Sequence, residues 1–479
     1  MKLLTLLQDV QATGFCDDVE VIALCRDSRK IEAGCVFVCI TGTKIDSHQF
    51  AAEAIQQGAA AVVCERDLGL DRQILVPDGR AAWAQLCANW FDRPSEKMQL
   101  IGITGTNGKT STSYLLKGIL EQAGYTVGLI GTIQNMIGDR VVQTAQTTPD
   151  SYELQQLFAQ MVESGCAYAV MEVSSHALDQ DRVAGCRFAV GAFTNLTQDH
   201  LDYHGTMEAY AAAKKRLFAM SNKAVLNMDD PWYAVMSDAL PCPKSTYSAA
   251  SSDADYTAHN LRERPDGADF QLVTTGKIGR VKLKTPGRFS VYNALLAAAC
   301  ALELGVSFDD VVAALCDANI IKGRAEVVPT NRDFTVVIDY AHTPDGLQNI
   351  CETLNACKVG RLVTVFGCGG DRDRTKRPKM AAVAAALSDF VIVTSDNPRT
   401  EDPHAIIDDI LEGLSDTAVP HTVIADRIQA IHWAIQHAQA GDTILLAGKG
   451  HETYQILNSG TIHLDEREVV AEALAANIT

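Results

Sequence analysis

A chain of 479 residues, 47% hydrophobic and 21% charged, exceeds what one hydrophobic core usually serves and reads as a globular protein of about two to four domains, not a disordered or fibrous one. Its net charge of −18 argues against a nucleic-acid surface, which needs clustered Lys and Arg. Any phosphate ligand must therefore be met by local loops and a metal against the overall field. The fourteen cysteines include no CxxC pair and sit mostly in apolar runs such as VFVCI and LCANW, so they read as buried reduced thiols rather than disulfides or a zinc site.

The N-terminus, MKLLTLLQDV, carries one Lys and a short apolar stretch without a small-residue cleavage site, and the expectation is a cytoplasmic protein. The longest apolar run, residues 294–302, falls well short of the roughly 18 to 20 residues that span a bilayer, so no membrane insertion is expected. Residues 1–96 mix β-branched runs (CVFVCI, AAAVVC) with helical stretches (HQFAAEAIQQG, AAWAQLCANWF) and form a first, small α/β domain. In residues 97–322 apolar strands (MQLIGITG, TVGLIG, YAVMEVSS, FAVGAFTN, KAVLNMD) alternate with amphipathic helices, which predicts a largely parallel sheet covered by helices. A boundary is placed at Lys322-Gly323-Arg324. Residues 323–479 repeat the rhythm (FTVVIDYAH, RLVTVFGCGGD, DFVIVTSDN, HTVIAD, DTILLAGKG) as a second doubly wound unit. The loops GCGGDRD, SDNPRTEDP and GKGHE all follow strands, where ligands gather in such sheets.

Gly105, Thr106, Asn107, Gly108, Lys109 and Thr110 follow a buried strand and open the helix TSTSYLLKGILEQAG, the context of a phosphate loop. Its glycines let backbone N–H groups approach phosphates, and Lys109 reaches the β- and γ-phosphates. Thr110 or Ser111 can ligate magnesium. Ile103 stands where the usual GxxxxGK[ST] form has its first glycine, and the loop alone leaves ATP against GTP open. It would also permit a nucleotide switch or transport NTPase, although no NKxD guanine motif follows.

Further motifs narrow the reading. TNGKT, TTPDS (147–151), MEVSSHAL (171–178), TNLTQDHLDYHGT (194–206), AAKKRLF (212–218), GRFSVYNAL (287–295), GRAE (323–326), DYAHTPD (339–345), GCGGDRD (367–373), DNPR (396–399) and GKGHETYQ (448–455) occur in this order. In these residues the chain resembles the Mur ligases. The resemblance implies an α/β protein of three domains: a small N-terminal UDP-binding domain, a central P-loop parallel-sheet ATPase domain and a C-terminal Rossmann-like domain that binds an amino acid. It implies ATP as co-substrate, Mg2+, and a monomer in solution.

Residue by residue, the resemblance makes Thr110, Glu172 and His200 magnesium ligands. Glu172 is the easier case, since magnesium favours oxygen. Lys214 matches the family lysine that reacts with carbon dioxide, giving an anion able to bind a second magnesium; Lys215 and Arg216 beside it mean that spacing alone does not select it. Asn293 and Arg324 would contact the nucleotide, with Asp339 and His342 near it. Arg324 is suited to stabilise charge on the transferred phosphoryl group, its alternative being a domain-linker salt bridge. Thr147, Thr148, Ser174, Gln180 and Arg182 would bind the muramyl dipeptide, and Ser28 and Thr43 the uridine nucleotide, although Arg26 and the TKI at 43–45 depart from the residues of the best-known relatives. Asp396, Asn397, Pro398 and Arg399 resemble the signature of diaminopimelate-adding members. A guanidinium can clamp the second carboxylate, which lysine lacks, through two parallel hydrogen bonds. Arg372 would be a second cationic contact, while Gly448 and Glu452 receive an ammonium end.

The implied reaction joins meso-2,6-diaminopimelate to UDP-N-acetylmuramoyl-L-alanyl-D-glutamate through an acyl phosphate, in peptidoglycan synthesis. DNPR and the RDSR segment argue against folylpolyglutamate synthases and D-alanyl-D-alanine-adding members. Because the amino-acid loops and the phosphate loop belong to different domains, an open and a closed arrangement are expected.

Overall fold

The computed structural model describes all residues except 43–44, 145, 265–266 and 477–479. Three principal sheets follow one another along the chain. The first has five strands in the order Thr13–Gly14, Gln73–Leu75, Ala61–Cys64, Cys35–Val38, Ala23–Cys25, parallel except at its first edge. CVFVC reads as an unbroken apolar run because both faces are covered. Val36 and Val38 pack with Trp83 and Leu86 of the helix Gly79–Trp90, while Cys35 and Phe37 pack with Ala51 and Ala54 of the helix Ala51–Gln56. Asp78 starts the longer helix by accepting from the N–H groups of Arg80 and Ala81.

The central sheet has eleven strands. Its parallel middle runs Lys244–Ser248, Ala224–Asn227, Val190–Phe193, Gln99–Thr104, Tyr168–Glu172, Val127–Ile130. Helices Lys109–Gln122 and Arg288–Glu303 cover one face, and Ser151–Glu163 and Met207–Ala219 contribute to cores on the other. Leu154, Phe158 and Met161 are fully buried along one stripe of Ser151–Glu163, each such burial contributing about 1.5–3 kcal/mol. The apolar run 294–302 lies inside Arg288–Glu303.

An antiparallel meander, Tyr256–Arg264, Gly267–Thr274 and Lys277–Leu283, extends one edge, and the sequence reading did not contain it. Its strands alternate buried apolar with exposed charged residues, as in Val281–Lys282–Leu283, so no continuous apolar run marks them.

The third sheet runs Glu326–Val328, Thr335–Asp339, Thr443–Ala447, Leu362–Phe366, Phe390–Val393, His421–Val423, with only the first strand antiparallel. All five expected strands of this region are present. Helices Pro344–Cys357, Lys376–Leu387 and Pro403–Glu412 bury one face, and Arg427–Gln436 with Glu466–Ala476 the other. A hairpin, Tyr454–Leu457 with Gly460–His463, follows the last parallel strand.

The carboxyl ends of the second and third sheets meet. Asn107 Nδ2 donates to Asp345 Oδ2 at 2.8 Å, Gln198 Nε2 to Thr375 Oγ1 at 2.9 Å, and Arg324 Nη2 to Thr110 Oγ1 at 2.9 Å. The loops of the two sheets are therefore in direct contact. All fourteen cysteines are free and most are buried, and no described helix is long and apolar enough to cross a membrane.

Candidate active site between the central and C-terminal sheets

The strand Gln99–Thr104 delivers the phosphate loop to the start of Lys109–Gln122. The loop tolerates only glycine at two points. A Cβ on Gly105 (φ +148°) would lie 1.8 Å from Thr194 Oγ1, and one on Gly108 (φ +85°) 2.4 Å from Asn293 Oδ1. Lys109 Nζ folds back onto the carbonyls of Gly105 (2.9 Å) and Thr106 (2.8 Å). Lys214 Nζ donates to the same Gly105 carbonyl at 2.8 Å and sits 4.4 Å from the centre of the Tyr210 ring. Two ammonium groups thus converge on one oxygen. Burial, reinforced by Lys109, holds the Lys214 amine well below the ordinary lysine value. Lys215 instead bonds the Val235 carbonyl on the surface, and Arg216 pairs with Asp181. Packing therefore singles out Lys214 of the three basic residues.

Glu172 ends its strand buried, accepting from Thr110 Oγ1 (3.1 Å), Thr132 N (2.9 Å) and Thr132 Oγ1 (2.9 Å). Ser111 lines the cleft one residue beyond Thr110. His200, at φ +55°, is held by burial at a pKa of about 3, so its ring is neutral with a lone pair to offer. Its neighbour Asp199 is a site residue that sequence reasoning missed, although it lies inside the QDHLD motif. The buried Asp199 carboxylate lies 3.5 Å from Lys376 Nζ, 3.4 Å from His200 Nε2 and 3.9 Å from His342 Nε2. Burial opposes its ionisation, but Lys376 and the neighbouring histidines prevail and keep it well below the ordinary carboxylate value.

Arg324 stacks 4.6 Å from the centre of the Tyr340 ring while bonding the Thr110 hydroxyl, and its buried Nε has no partner among the described residues. It faces the phosphate loop rather than a linker carboxylate. Asp339 explains the placement. Its oxygens accept from Ala325 N (2.7 Å) and Ala341 N (2.8 Å), pinning the turn at Ala325 (φ +47°) that presents Arg324. One cleft joins Asn107, Ser111, Asn293, Arg324, Asp339 and His342. Asn195, Asp229, Tyr292 and Asp345 also line it. The TNLT and DYAHTPD motifs contained Asn195 and Asp345, but motif position alone gave no role for either.

Across the cleft, three strand-end loops of the third sheet come together in a second cluster of polar side chains. The buried Asn397 accepts on Oδ1 from Lys449 Nζ (3.0 Å) and Ile456 N (2.9 Å) and donates to Glu452 Oε2 (2.9 Å). Lys449, fully buried, also bonds Glu452 Oε2 at 2.8 Å, a contact the motif did not reveal. A Cβ on Gly448 (φ +114°) would lie 2.6 Å from Asp396 Oδ2, so only glycine allows this approach. Arg399, at φ +54° after Pro398, donates to the Gly370 carbonyl at 2.8 Å. Burial, with Arg372 nearby, lowers its pKa. Arg399 and Arg372 both flank Gly369, and two arginines on adjoining loops supply the charge an anion would need.

A further cavity lies between the first and second sheets and is lined by Gln180 and Arg182 with Arg26, Arg80, Trp83 and Asp150. Arg182 donates to Gln180 Oε1 (2.7 Å) and the Thr148 carbonyl (3.1 Å), and Arg26 pairs with Asp150 at 2.9 Å. The Thr148 hydroxyl is buried against the Glu172 carbonyl (2.8 Å), Thr147 Oγ1 lies 3.0 Å from Thr132 Oγ1, and Ser174 caps the helix Ser175–Asp179. Ser28 lies on the turn Ser28–Lys30 outside this lining, and Thr43 falls outside the described residues.

A phosphate loop facing, across a cleft, a polar cluster that carries cations is the layout of an ATP-driven ligase. The Mur ligase family catalytic-domain model matches residues 21–89, the Mur ligase middle-domain model residues 103–301, and the Mur ligase glutamate ligase-domain model residues 323–450; the chain belongs to the Mur ligase family. Among its relatives is a UDP-N-acetylmuramoyl-L-alanyl-D-glutamate–2,6-diaminopimelate ligase of Caldanaerobacter subterraneus subsp. tengcongensis, 49% identical over 96% of this chain and 95% of the relative. One of the same description from Geobacillus kaustophilus is 45% identical over 99% of each. A solved structure of a ligase so described superposes with a TM-score of 0.70 at 34% identity, covering 97% of this chain and 98% of that one.

Three neutral, partly buried histidines make a stability prediction. His200 (about 3), His342 (about 4) and His451 (about 3) are all lowered chiefly by burial. In the unfolded chain they take up protons below about pH 6.5, whereas in the folded chain they do so only near pH 3–4, so stability falls as the pH drops through that window. Thermal melting followed by circular dichroism is expected to show Tm decreasing steadily from pH 7 to pH 5. An unchanged Tm over that range would contradict the burial argument.

Proposed function

We propose that this chain joins meso-2,6-diaminopimelate to UDP-N-acetylmuramoyl-L-alanyl-D-glutamate at the expense of ATP, in peptidoglycan synthesis in the cytoplasm, with domain limits at 1–96, 97–322 and 323–479. The observation that carries the reading is that Arg399 and Arg372 both flank Gly369, on neighbouring strand-end loops of the third sheet. Diaminopimelate has a carboxylate at each end, and a paired guanidinium site matches the one that lysine lacks. The relatives so named, matched over nearly their whole length, support the same substrate pair.

Lys109 and the loop amides hold the phosphates of ATP, and Gln180 and Arg182 hold the dipeptide so that its D-glutamate side-chain carboxylate faces the γ-phosphorus. A carboxylate oxygen attacks that phosphorus and ADP leaves, giving an acyl phosphate. Arg324, delivered by the closed third domain, offsets the charge that builds on the transferred group. The diaminopimelate amine then attacks the activated carbonyl, and collapse of the tetrahedral adduct expels phosphate and leaves the amide.

The Thr110 hydroxyl and Glu172 carboxylate, 3.1 Å apart, are oxygen donors of the kind magnesium prefers; they would hold it with neutral His200 as a further ligand, and Lys214 as a carbamate would hold a second ion. When bound, magnesium supplies positive charge beside the phosphates.

The test is phosphate release from ATP with the UDP-linked dipeptide and either meso-diaminopimelate or L-lysine, with the product identified by mass spectrometry. Turnover strongly favouring diaminopimelate, with L-lysine a poor substrate, is expected. Preference for lysine would overturn the specificity reading, and no turnover with either would overturn the substrate pair.

A further inference from the structure

The two halves of the amino-acid pocket rise from strands that do not touch. Residues 396–399 follow Phe390–Val393, residues 448–452 follow Thr443–Ala447, and Leu362–Phe366 lies between these strands in the sheet. No sheet hydrogen bond therefore sets the distance between the two loops directly. Arg427 spans the gap. It begins the helix Arg427–Gln436, and its side chain is fully buried beneath the pocket. Nη2 donates to the Ala447 carbonyl at 2.8 Å, Nη1 reaches the Ser395 carbonyl at 3.4 Å, and Nε donates to Glu466 Oε1 at 2.8 Å. Ser395 and Ala447 are the residues immediately before the two pocket segments.

Glu466 opens the helix Glu466–Ala476, is itself fully buried, and has an Oε2 with no hydrogen-bond partner among the described residues. A buried ion pair gives no more stability than apolar side chains of the same volume, and one carrying an unsatisfied oxygen gives less. Stability does not account for the pair, but position does. A guanidinium is the side chain with enough donors in a fixed plane to hold two carbonyls and a carboxylate together. Gln455 reinforces the frame, its Nε2 donating to the Asp396 carbonyl at 2.5 Å.

We propose that Arg427 and Glu466 are positioning residues that fix the width of the amino-acid pocket, and so the fit of the diamino acid, without touching it. This rests on the reading of residues 396–399 and 448–452 as the amino-acid site. In the full-length enzyme, Glu466→Gln keeps the volume and the Oε1 acceptor but removes the charge that orients Arg427. It is expected to raise KM for the amino acid about tenfold, while KM for ATP and for the UDP-linked dipeptide change by less than about twofold. Arg427→Met, which releases both carbonyls, is expected to raise the same KM about a hundredfold. If Arg427→Met does not fold, Glu466→Gln carries the test alone.

The proposal is overturned if Glu466→Gln leaves the amino-acid KM unmoved, whatever its melting temperature, or if all three KM values shift together, as general loosening would produce. The KM is measured with whichever amino acid the wild-type enzyme turns over. A wild-type preference for lysine would thus sink the diaminopimelate reading, while the KM split would still decide the positioning role.

Discussion

Replacing Lys214 with alanine is expected to lower kcat by about a hundredfold to a thousandfold, the scale of losing a charged group at the reacting phosphates. The side chain is buried at the phosphate loop, shares the Gly105 carbonyl with Lys109, and is held well below the usual lysine pKa. Burial beside Lys109 favours the neutral amine, the form that adds to carbon dioxide, and the resulting carbamate is an anion that pairs with the Lys109 cation. Lys214→Arg discriminates the two roles. It restores the cation but cannot form the carbamate, so it is expected to be as impaired as the alanine variant.

Stability should move the other way. A lysine whose folded pKa is lowered costs stability at every pH below its unfolded value, so Lys214→Met is expected to melt no lower than the unmodified wild-type chain in buffer free of carbon dioxide. Steady-state kinetics with and without bicarbonate, together with peptide mass spectrometry for the carbon dioxide adduct, provide the check. An arginine variant retaining more than about a tenth of wild-type kcat would end the carbamate assignment.

Arg399→Ala is expected to lower kcat/KM for meso-diaminopimelate by about a hundredfold, the order of cost for leaving a desolvated carboxylate without its charged partner. The loss for L-lysine, which has no second carboxylate, should be within about tenfold. The comparison isolates recognition from general damage, because Arg399 also braces the loop through the Gly370 carbonyl. Equal losses for both amino acids would show that the bracing, and not the carboxylate contact, is what matters. Arg372 is more exposed and, among the described residues, bonds only the Asp371 carbonyl, so Arg372→Ala is expected to have the smaller effect.

Much of the fold was legible because local chemistry dictates it. The alternation of buried apolar runs with amphipathic helices permits little but two doubly wound sheets, and the glycines of the phosphate loop have no room for a side chain. The meander at residues 256–283 was not legible. One face of it is solvated, so its apolar signal is diluted by Arg and Lys. Within the site, motifs delivered Glu172, His200, Lys214, Arg324 and Arg399 as chemical candidates. They did not deliver Asp199, whose value comes from Lys376 arriving from another domain, or Lys449, whose ammonium is already spent on Asn397 and Glu452.

What the sequence by itself determined is the set of short-range features: which segments are strands, where the phosphate loop begins, and which side chains stand at strand ends. Backbone sterics and hydrophobic periodicity act over a few residues, and they leave a readable imprint. What only the tertiary structure decided is which of those side chains meet. Arg324 reaches Thr110 across 214 positions, Asp345 reaches Asn107 across 238, and Arg427 ties Ser395 to Ala447 across a strand that belongs to neither. Such contacts follow from sheet order and domain closure, where burial strips water from charged groups and so sets the lowered pKa of Lys214 and the neutrality of His200.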